Sequence, residues 1–364
     1  MRYVLLICVC LSFAMGLVMI FNTTSADVLD RALDKNVHYA FLKQIMYAIL
    51  GIALSASIWF VGYQNIMRLS FPLLVFFTFL LLLVFVPGIG RMANGAHRWI
   101  WIGGYTFQPS EFVKYLIPLF FIHQYLKTDD QGFTIRDFLK TMAIIAIPMI
   151  LILVEPDNRS AGLIVLTLFV LFYLTRIKAK YWALPMAVIM IIGAAGAYHV
   201  PYVKERLKVY FNPELDLHGK GHQPHQAKIA TGSGGLLGRG IGESVQKLTY
   251  LPEAQNDYIV AIFAEEFGFV GVAALISLYM VIAYIGFSIA HFAPDKGSAF
   301  IAAIFTFLLS IQAFVNFGVV SNLLPSTGLN LPFFSQGGSS LWVNMAAITV
   351  LMQISAMSKK EIRT

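Results

Sequence analysis

Long, uninterrupted apolar runs follow one another along almost the whole chain. Each run approaches or exceeds the ~20 residues that a helix needs to cross the hydrocarbon core of a bilayer. Because the runs are continuous and do not alternate with polar positions, they predict helices and exclude a β-barrel. Ten such runs lie near residues 2–22, 41–61, 69–86, 109–126, 138–155, 160–176, 181–200, 258–290, 298–324 and 338–357. We therefore predict an all-α, polytopic membrane protein of about ten transmembrane helices, in which residues 1–364 form a single transmembrane domain.

Composition supports the same class. Hydrophobic residues make up 58% of the chain and charged residues 12%, whereas soluble domains carry about 25% charged residues. The net charge of +7 would suit a nucleic-acid partner, but the Lys and Arg residues lie in short loops between apolar runs. That placement sets membrane topology and favours anionic lipid or phosphate, so we expect no nucleic-acid partner.

The Lys and Arg residues also predict an orientation. With the N-terminus in the cytoplasm, the inner side holds twelve of them and the short outer loops hold five. This asymmetry favours two cytoplasmic termini in a bacterial inner membrane. The long segment of about 201–257, between the seventh and eighth helices, then becomes a large extracytoplasmic loop.

Residues 232–271 are the longest stretch that is polar, glycine-rich and charged. At its centre Asn256 and Asp257 precede an apolar run that begins at Tyr258. One interpretation is an N-cap, in which a short polar side chain satisfies free N–H groups at the start of a helix. The other is a carboxylate at the membrane–water boundary, which accepts a proton from a hydroxyl or holds a divalent cation. The two roles are compatible.

Two more acids, Glu265 and Glu266, lie further into the same run. An ionisable residue inside a transmembrane helix is costly and is a candidate for function. From Asp257, Glu265 is about 80° and Glu266 about 180° around a helix, so at most Glu265 shares its face. The structural alternative is that both acids pair with Lys or Arg from another transmembrane helix, or that Gly268 and Gly271 break the helix near the surface.

A second charged motif is Gln108-Pro109-Ser110-Glu111-Phe112-Val113-Lys114. Pro109 suits the first position of a helix, which places Glu111 at the third. Glu111 and Lys114 have the i,i+3 spacing of a pair on one helical face. The motif is either the ordinary chemistry of a helix start or part of a polar groove between helices.

The glycines of residues 232–242 do not match a nucleotide-binding motif, because no G-x-G-x-x-G and no Walker lysine is present. A bent backbone that offers N–H groups to a phosphate, with Arg239 and Lys247 nearby, is the alternative. His218, His222 and His225 have metal-like spacing only in a helix, and Gly219, Gly221 and Pro224 argue for an exposed loop.

Two outer segments complete the motifs. In Asn94-Gly95-Ala96-His97-Arg98-Trp99-Ile100-Trp101, the tryptophans suit the lipid headgroup level, and Arg98 either meets a phosphate or snorkels. Residues 324–340 form an uncharged, Pro- and Gly-rich loop. A loop this apolar is expected to fold back into the helix bundle.

In this order the four blocks 94–100, 108–114, 232–271 and 324–340 resemble the SEDS family of membrane proteins, FtsW, RodA and SpoVE, over essentially the whole chain. The resemblance implies a peptidoglycan glycosyltransferase that polymerises lipid II outside the inner membrane. It also implies a class B penicillin-binding protein (a transpeptidase) as partner, beside other membrane proteins of division or elongation. Gln246-Lys247 before Tyr250-Leu251-Pro252-Glu253-Ala254 favours the FtsW branch, which acts in division.

Carried over to this chain, the family's essential aspartate is Asp257, which we predict as the catalytic residue and as the ligand of any divalent cation, Mg²⁺ or Mn²⁺. The charged pair of its fourth helix is Glu111 and Lys114. We take as substrate-binding candidates Arg98, Glu111, Lys114, Ser233, Arg239, Lys247 and Glu253. The chain departs from the family's usual patterns at Ala227, Asn256, Tyr258 and Gln336, and at Pro156-Asp157-Asn158-Arg159, where Pro-Asp-x-Gly is usual.

Two other functions are compatible with the residues. A lipid II flippase would use polar residues such as Glu265, Glu266 and Lys114, but it needs a charged path through the whole bilayer, which most apolar runs lack. A division scaffold without catalytic activity would tolerate the loss of Asp257.

Overall fold

A computed structural model describes most of the chain. The described residues are 1–30, 37–93, 96–128, 132–185, 187, 210, 221–247, 251 and 255–361. Predicted features outside these ranges include Glu253, His218 and most of the apolar run at 181–200.

Eleven helices carry the described part of the fold, since the apolar runs favour hydrogen bonding within each segment. They are α1 Arg2–Asp30, α2 Tyr39–Val61, α3 Tyr63–Arg68, α4 Ser70–Leu83, α5 Pro109–Thr128, α6 Ile135–Val154, α7 Asn158–Leu174, α8 His222–Ser233, α9 Ile259–His291, α10 Lys296–Val320 and α11 Ser339–Glu361.

The helices form a polytopic membrane bundle around α5. Within the described residues, six helices are long and apolar enough to cross a membrane, namely α1, α2, α6, α9, α10 and α11. The shorter α4 and α7 are also apolar. Helix α5 packs against α4, α6, α7, α10 and α11, and its side chains from Val113 to Ile122 are buried. The polytopic class is confirmed; the total of ten helices and the extent of the long outer loop stay predictions.

A small antiparallel sheet departs from the predicted all-α fold. Strands β1 Gly90–Ala93, β2 Ala96–Ile102 and β3 Tyr105–Phe107 pair in the order β1-β2-β3. Gly103 and Gly104, with φ of 55° and 90°, form the two-residue turn between β2 and β3. Two positive φ values are what a tight hairpin requires. The segment predicted to lie at the interface is therefore a hairpin that carries Arg98 beside the start of α5.

Helix α9 is broken at Gly268 (φ 65°, ψ −166°). The glycine-rich segment 235–240 forms hydrogen bonds with the backbone groups that the break leaves unpaired. The carbonyls of Glu265 and Glu266 would accept from Phe269 and Val270 in a regular helix. Instead they accept from the N–H groups of Arg239 and Gly240 at 3.0 and 3.1 Å, while Phe269 and Val270 donate to the carbonyls of residues 235 and 236. Each orphaned backbone group near the break therefore has a partner.

The segment 324–340 folds back into the bundle, as predicted. Leu331, Phe333 and Phe334 are buried, and the hydroxyl of Tyr279 donates to the carbonyl of Pro332. The backbone of Phe334 lies so close to Gly16 of α1 that a Cβ there would be 2.4 Å from its carbonyl oxygen. This return places residues 327–340 between the helices.

Gly268→Ala tests the break in α9. A Cβ at this position would lie 2.3 Å from the backbone nitrogen of Gly238, and alanine also disfavours the positive φ. We expect the substitution to cost at least about 3 kcal/mol and to lower the unfolding temperature in detergent. Gly162→Ala in α7 is the matched control, because nothing lies within 4 Å of its added Cβ. Equal unfolding temperatures for the two variants would contradict the assignment.

Candidate active site

A polar cavity of about 770 Å³ lies where the sheet, the starts of α5, α7 and α9, and the segment 327–340 meet. Such a cavity is unusual among apolar helices, because polar groups are costly there unless they serve a site. Among the described residues, its charged and amide lining consists of Lys43, Arg98, Arg159, Glu111, Asp257, Gln108, Gln223, Gln255, Asn256, Gln312, Asn330 and Gln336.

Asp257 reaches this cavity from the start of α9. The N-cap residue of α9 is Tyr258, so Asp257 precedes the cap and is not itself the N-cap residue, unlike one interpretation of the sequence. Its backbone carbonyl accepts a 2.9 Å hydrogen bond from Asn316 of α10, which fixes the turn. The carboxylate lies near the positive end of α9, where a negative charge is favoured.

Arg159 stands opposite Asp257, across Gly328. A Cβ at position 328 would be 3.2 Å from Oδ2 of Asp257 and 3.4 Å from Nη1 of Arg159. The two charged groups are therefore less than roughly 7 Å apart, and the arginine acts directly on the carboxylate. Arg159 was not among the site residues predicted from the sequence. The feature that could have indicated it is the departure from the family pattern Pro-Asp-x-Gly at this position.

The buried Asp157 holds Arg159 in place. Its Oδ1 accepts from Nε of Arg159 at 3.2 Å, and its Oδ2 accepts from Gln108, Ser110 and Ser160 at 2.7–3.0 Å. Burial alone would raise the pKa of Asp157, but the Arg159 charge and these hydrogen bonds outweigh it and lower the pKa. The surroundings of Asp157 therefore favour its anionic form, which orients Arg159.

Glu111 and Lys114 form the predicted pair inside α5, with 2.8 Å between Lys114 Nζ and Glu111 Oε2. The Lys114 ammonium also donates to Gln312 of α10 at 2.8 Å. Glu111 lines the cavity, and Lys114 is completely buried. The pair is thus part of a polar wall between helices, and Lys114 supplies the counter-charge.

Glu265 and Glu266 bind the glycine-rich segment to α9. Glu265 pairs with Arg239 at 3.1 Å and accepts hydrogen bonds from Ser233 and Ser244. Glu266 pairs with Lys247 at 3.0 Å, and Asn22 of α1 donates to it. Both acids are therefore ion-paired, but with Arg239 and Lys247 and not with basic residues of another transmembrane helix as the sequence suggested.

Ser233, Arg239 and Lys247 consequently point to the two glutamates and lie outside the lining of the cavity. Their part in substrate binding stays a prediction, as does that of Glu253, which lies outside the described residues. The physical reason for their placement is that two buried carboxylates need nearby positive charge and donors.

Arg98 reaches the end of α6. It lines the cavity, and it donates to the carbonyls of Glu155 and Pro156, where a cation complements the negative end of a helix. The Glu155 carboxylate is buried, and within the described part of the chain neither of its oxygens has a hydrogen-bond partner. Burial, followed by the charge of Asp157, raises the pKa of Glu155 to about 8, against the opposing effect of Arg98.

The histidine motif differs from its prediction. His222 and His225 belong to α8, which starts at His222 and accommodates Pro224 in its first turn, where proline is tolerated. Within the part of the chain that is described, no group of three His, Cys, Asp or Glu residues comes together as a metal site.

Glu155→Gln tests the buried acid through pH. A folded pKa of about 8 against an ordinary value of 4.5 favours the folded state at low pH, and this contribution is lost as the pH rises through 8. The wild type should therefore lose up to about 1.4 kcal/mol of stability per pH unit between pH 5.5 and 7.5. Thermal unfolding in detergent at both pH values should show this slope, and Glu155→Gln should remove it. An unchanged slope in the variant would contradict the account.

Lys114→Met tests the pair in α5. The substitution leaves the buried Glu111 carboxylate without its cation, which should cost about 3–5 kcal/mol of unfolding free energy. In the double variant Glu111→Gln/Lys114→Met no charge is left uncompensated, so most of that stability should return. Thermal unfolding decides; if the double variant is as unstable as the single one, packing and not charge accounts for the loss.

The whole chain is similar to proteins of known family. The family model for cell cycle proteins of the FtsW/RodA/SpoVE type matches residues 2–360. The chain is 35% identical to stage V sporulation protein E of Bacillus subtilis, with 98% of this chain and 97% of that protein covered. It is 36% identical to the probable peptidoglycan glycosyltransferase FtsW of Trichlorobacter lovleyi, with 97% and 92% covered.

Solved structures have the same fold. The rod shape determining protein RodA of Thermus thermophilus matches with a TM-score of 0.67 and 25% identity, over 97% of this chain and 95% of that one. A chain from a structure titled as the coordination of polymerization and crosslinking by a peptidoglycan synthase complex matches with a TM-score of 0.76 and 23% identity, over 97% of each chain. The family matched by the sequence and the fold of the helices agree, and the chain belongs to the FtsW/RodA/SpoVE family of cell cycle proteins.

Proposed function

We propose that this chain is a peptidoglycan glycosyltransferase that polymerises lipid II into glycan strands at the outer face of the bacterial cytoplasmic membrane. The names of its FtsW relatives support the activity and favour a role in division over a RodA-like role in elongation. The observation that carries the proposal is Asp257, which lies at the start of α9 in a polar cavity between helices, beside a fixed arginine.

The reaction requires a base and a site for a charged leaving group. A sugar hydroxyl of one chain attacks the anomeric carbon of another, and its oxygen forms the new glycosidic bond. The bond between that carbon and the pyrophosphate oxygen breaks, and the electron pair leaves with the lipid pyrophosphate. Asp257 accepts the hydroxyl proton. Lys43, Arg98 and Arg159 give the cavity the positive charge that a pyrophosphate needs.

The amides of the cavity wall suit the sugars, because they donate and accept hydrogen bonds without adding charge. The lipid tails would lie in apolar grooves between helices. With the cavity at the outer face of the membrane, the starts of α5, α7, α9 and α11 face the outside, and both termini are cytoplasmic.

A transpeptidase is the proposed partner. A chain of this fold occurs in a complex described by the coordination of polymerization and crosslinking. We therefore take a class B penicillin-binding protein, which crosslinks the new strands, as the partner of this chain, together with other membrane proteins of division or elongation.

A divalent cation, Mg²⁺ or Mn²⁺, at Asp257 is the family-based expectation, and the surrounding residues fit it poorly. Mg²⁺ in such sites is held by one or two carboxylates together with substrate phosphates. Asp157 and Glu111 are committed to Arg159 and Lys114, and the guanidinium of Arg159 lies beside Asp257. The roles of Asp257, Lys43, Arg98 and Arg159 do not depend on a bound metal.

Asp257→Ala tests the function. Loss of the base should lower the rate of lipid II polymerisation by at least about 10²-fold, measured on gels with the purified chain and its transpeptidase. The unfolding temperature should stay near that of the wild type, since the side chain is not part of the helical core.

Glu243→Ala is the matched control, because Glu243 is an exposed acid outside the cavity. It should polymerise lipid II at the wild-type rate. Glycan strands made by Asp257→Ala as fast as by this control would refute the assignment. Lipid II translocation into liposomes without polymerisation would instead favour a flippase.

A further inference from the structure

Hydrogen bonds from each of its three side-chain nitrogens fix Arg159 in place. Nε donates to Asp157 at 3.2 Å, Nη1 donates to the carbonyl of Gly328, and Nη2 lies 3.5 Å from Oε1 of Gln108. Its side chain is 18% exposed, and it lines the cavity. A guanidinium held this way is a preorganised positive charge that costs no rearrangement during reaction.

The Arg159 guanidinium lies beside the Asp257 carboxylate, where a metal ion would bind. Asp257 and Arg159 both lie against the Cβ position of Gly328, which places the guanidinium beside the one acid that we assign to the chemistry. A divalent cation on Asp257 would be repelled by Arg159 at this short range. Asp157 cannot turn to serve as a second ligand without giving up its bonds to Gln108, Ser110, Ser160 and Arg159.

The sequence locates the feature in this chain. Arg159 stands where the family pattern Pro-Asp-x-Gly has a glycine, which carries no charge. A chain with glycine there would lack a guanidinium beside Asp257. The arginine therefore adds a built-in positive charge beside Asp257.

We infer that Arg159 supplies, as a fixed part of the chain, the positive charge that a divalent cation would otherwise supply at Asp257. The inference rests on the proposed glycosyl transfer. As the bond between the anomeric carbon and the pyrophosphate oxygen breaks, the electron pair passes to the pyrophosphate, and Arg159 faces the resulting negative charge. The hydroxyl proton passes to Asp257, and Arg159 keeps its own protons.

The test compares the wild type with Arg159→Gly and Arg159→Lys, each purified with the transpeptidase. Lipid II polymerisation is measured in EDTA and after the addition of Mg²⁺ or Mn²⁺. The wild-type rate should change by less than about twofold between these conditions. Arg159→Gly should be slowed at least about tenfold in EDTA and should recover with Mn²⁺. Arg159→Lys keeps the charge and should be less dependent on metal than Arg159→Gly.

Binding of Mn²⁺, followed by its electron paramagnetic resonance signal, gives a second readout without turnover. The wild type should bind no Mn²⁺ that depends on Asp257. Arg159→Gly should bind one ion, and Arg159→Gly/Asp257→Asn should lose it. Arg98→Gln removes a cavity cation that contacts the end of α6, and it should create no such binding.

Two results would overturn the inference: loss of wild-type polymerisation in EDTA with recovery in Mn²⁺, or binding of Mn²⁺ to the wild type through Asp257. If Arg159→Gly does not fold, these wild-type measurements still decide. If no form of the chain polymerises lipid II, the proposed function fails, while Mn²⁺ binding still decides whether Arg159 takes the place of the ion.

Discussion

The need to neutralise charge inside a membrane bundle governs the region around the cavity. Four buried acids each have a cation within 3.2 Å, namely Glu111 with Lys114, Asp157 with Arg159, Glu265 with Arg239 and Glu266 with Lys247. Breaking such a pair leaves an uncompensated charge that costs several kcal/mol. The pairs of Glu265 and Glu266 join α9 to residues 239 and 247, whereas the other two pairs are local. Hydrogen bonds from Gln108 and Ser110 to Asp157 link α5 to the start of α7, and the bond from Lys114 to Gln312 links α5 to α10.

A second constraint acts on the backbone. The break of α9 at Gly268 frees two carbonyls and two N–H groups, which cannot be left unpaired beside lipid. The segment 235–240 satisfies them, and the ion pairs of Glu265 and Glu266 hold that segment in place. The segment 235–240 thereby supports the first part of α9, which directly follows Asp257, while the cavity itself is lined by other residues.

The sequence predicted the features that depend on local pattern. Apolar runs identified the membrane helices, Pro109 marked the start of α5, and the i,i+3 spacing gave the Glu111–Lys114 pair. The sequence could not predict contacts between distant segments, because these depend on tertiary packing. Such contacts are the ion pairs of Glu265 and Glu266 and the approach of Arg159 to Asp257 across Gly328. The hairpin at residues 96–107 was missed because a short strand in a mostly apolar chain gives little periodic signal. The contacts that make Arg159 a fixed cation likewise appear only in the folded chain.

We propose that glycosyl transfer occurs between Asp257 and Arg159 and not beside Arg239 and Lys247. An electron cryomicroscopy structure of the chain with its transpeptidase and an unreactive lipid II analogue tests this most directly. We predict that phosphate oxygens lie within hydrogen-bond distance of the Arg159 guanidinium, with the anomeric carbon near the Asp257 carboxylate. A pyrophosphate bound beside Arg239 and Lys247, with the Asp257 cavity empty of substrate, would contradict the account.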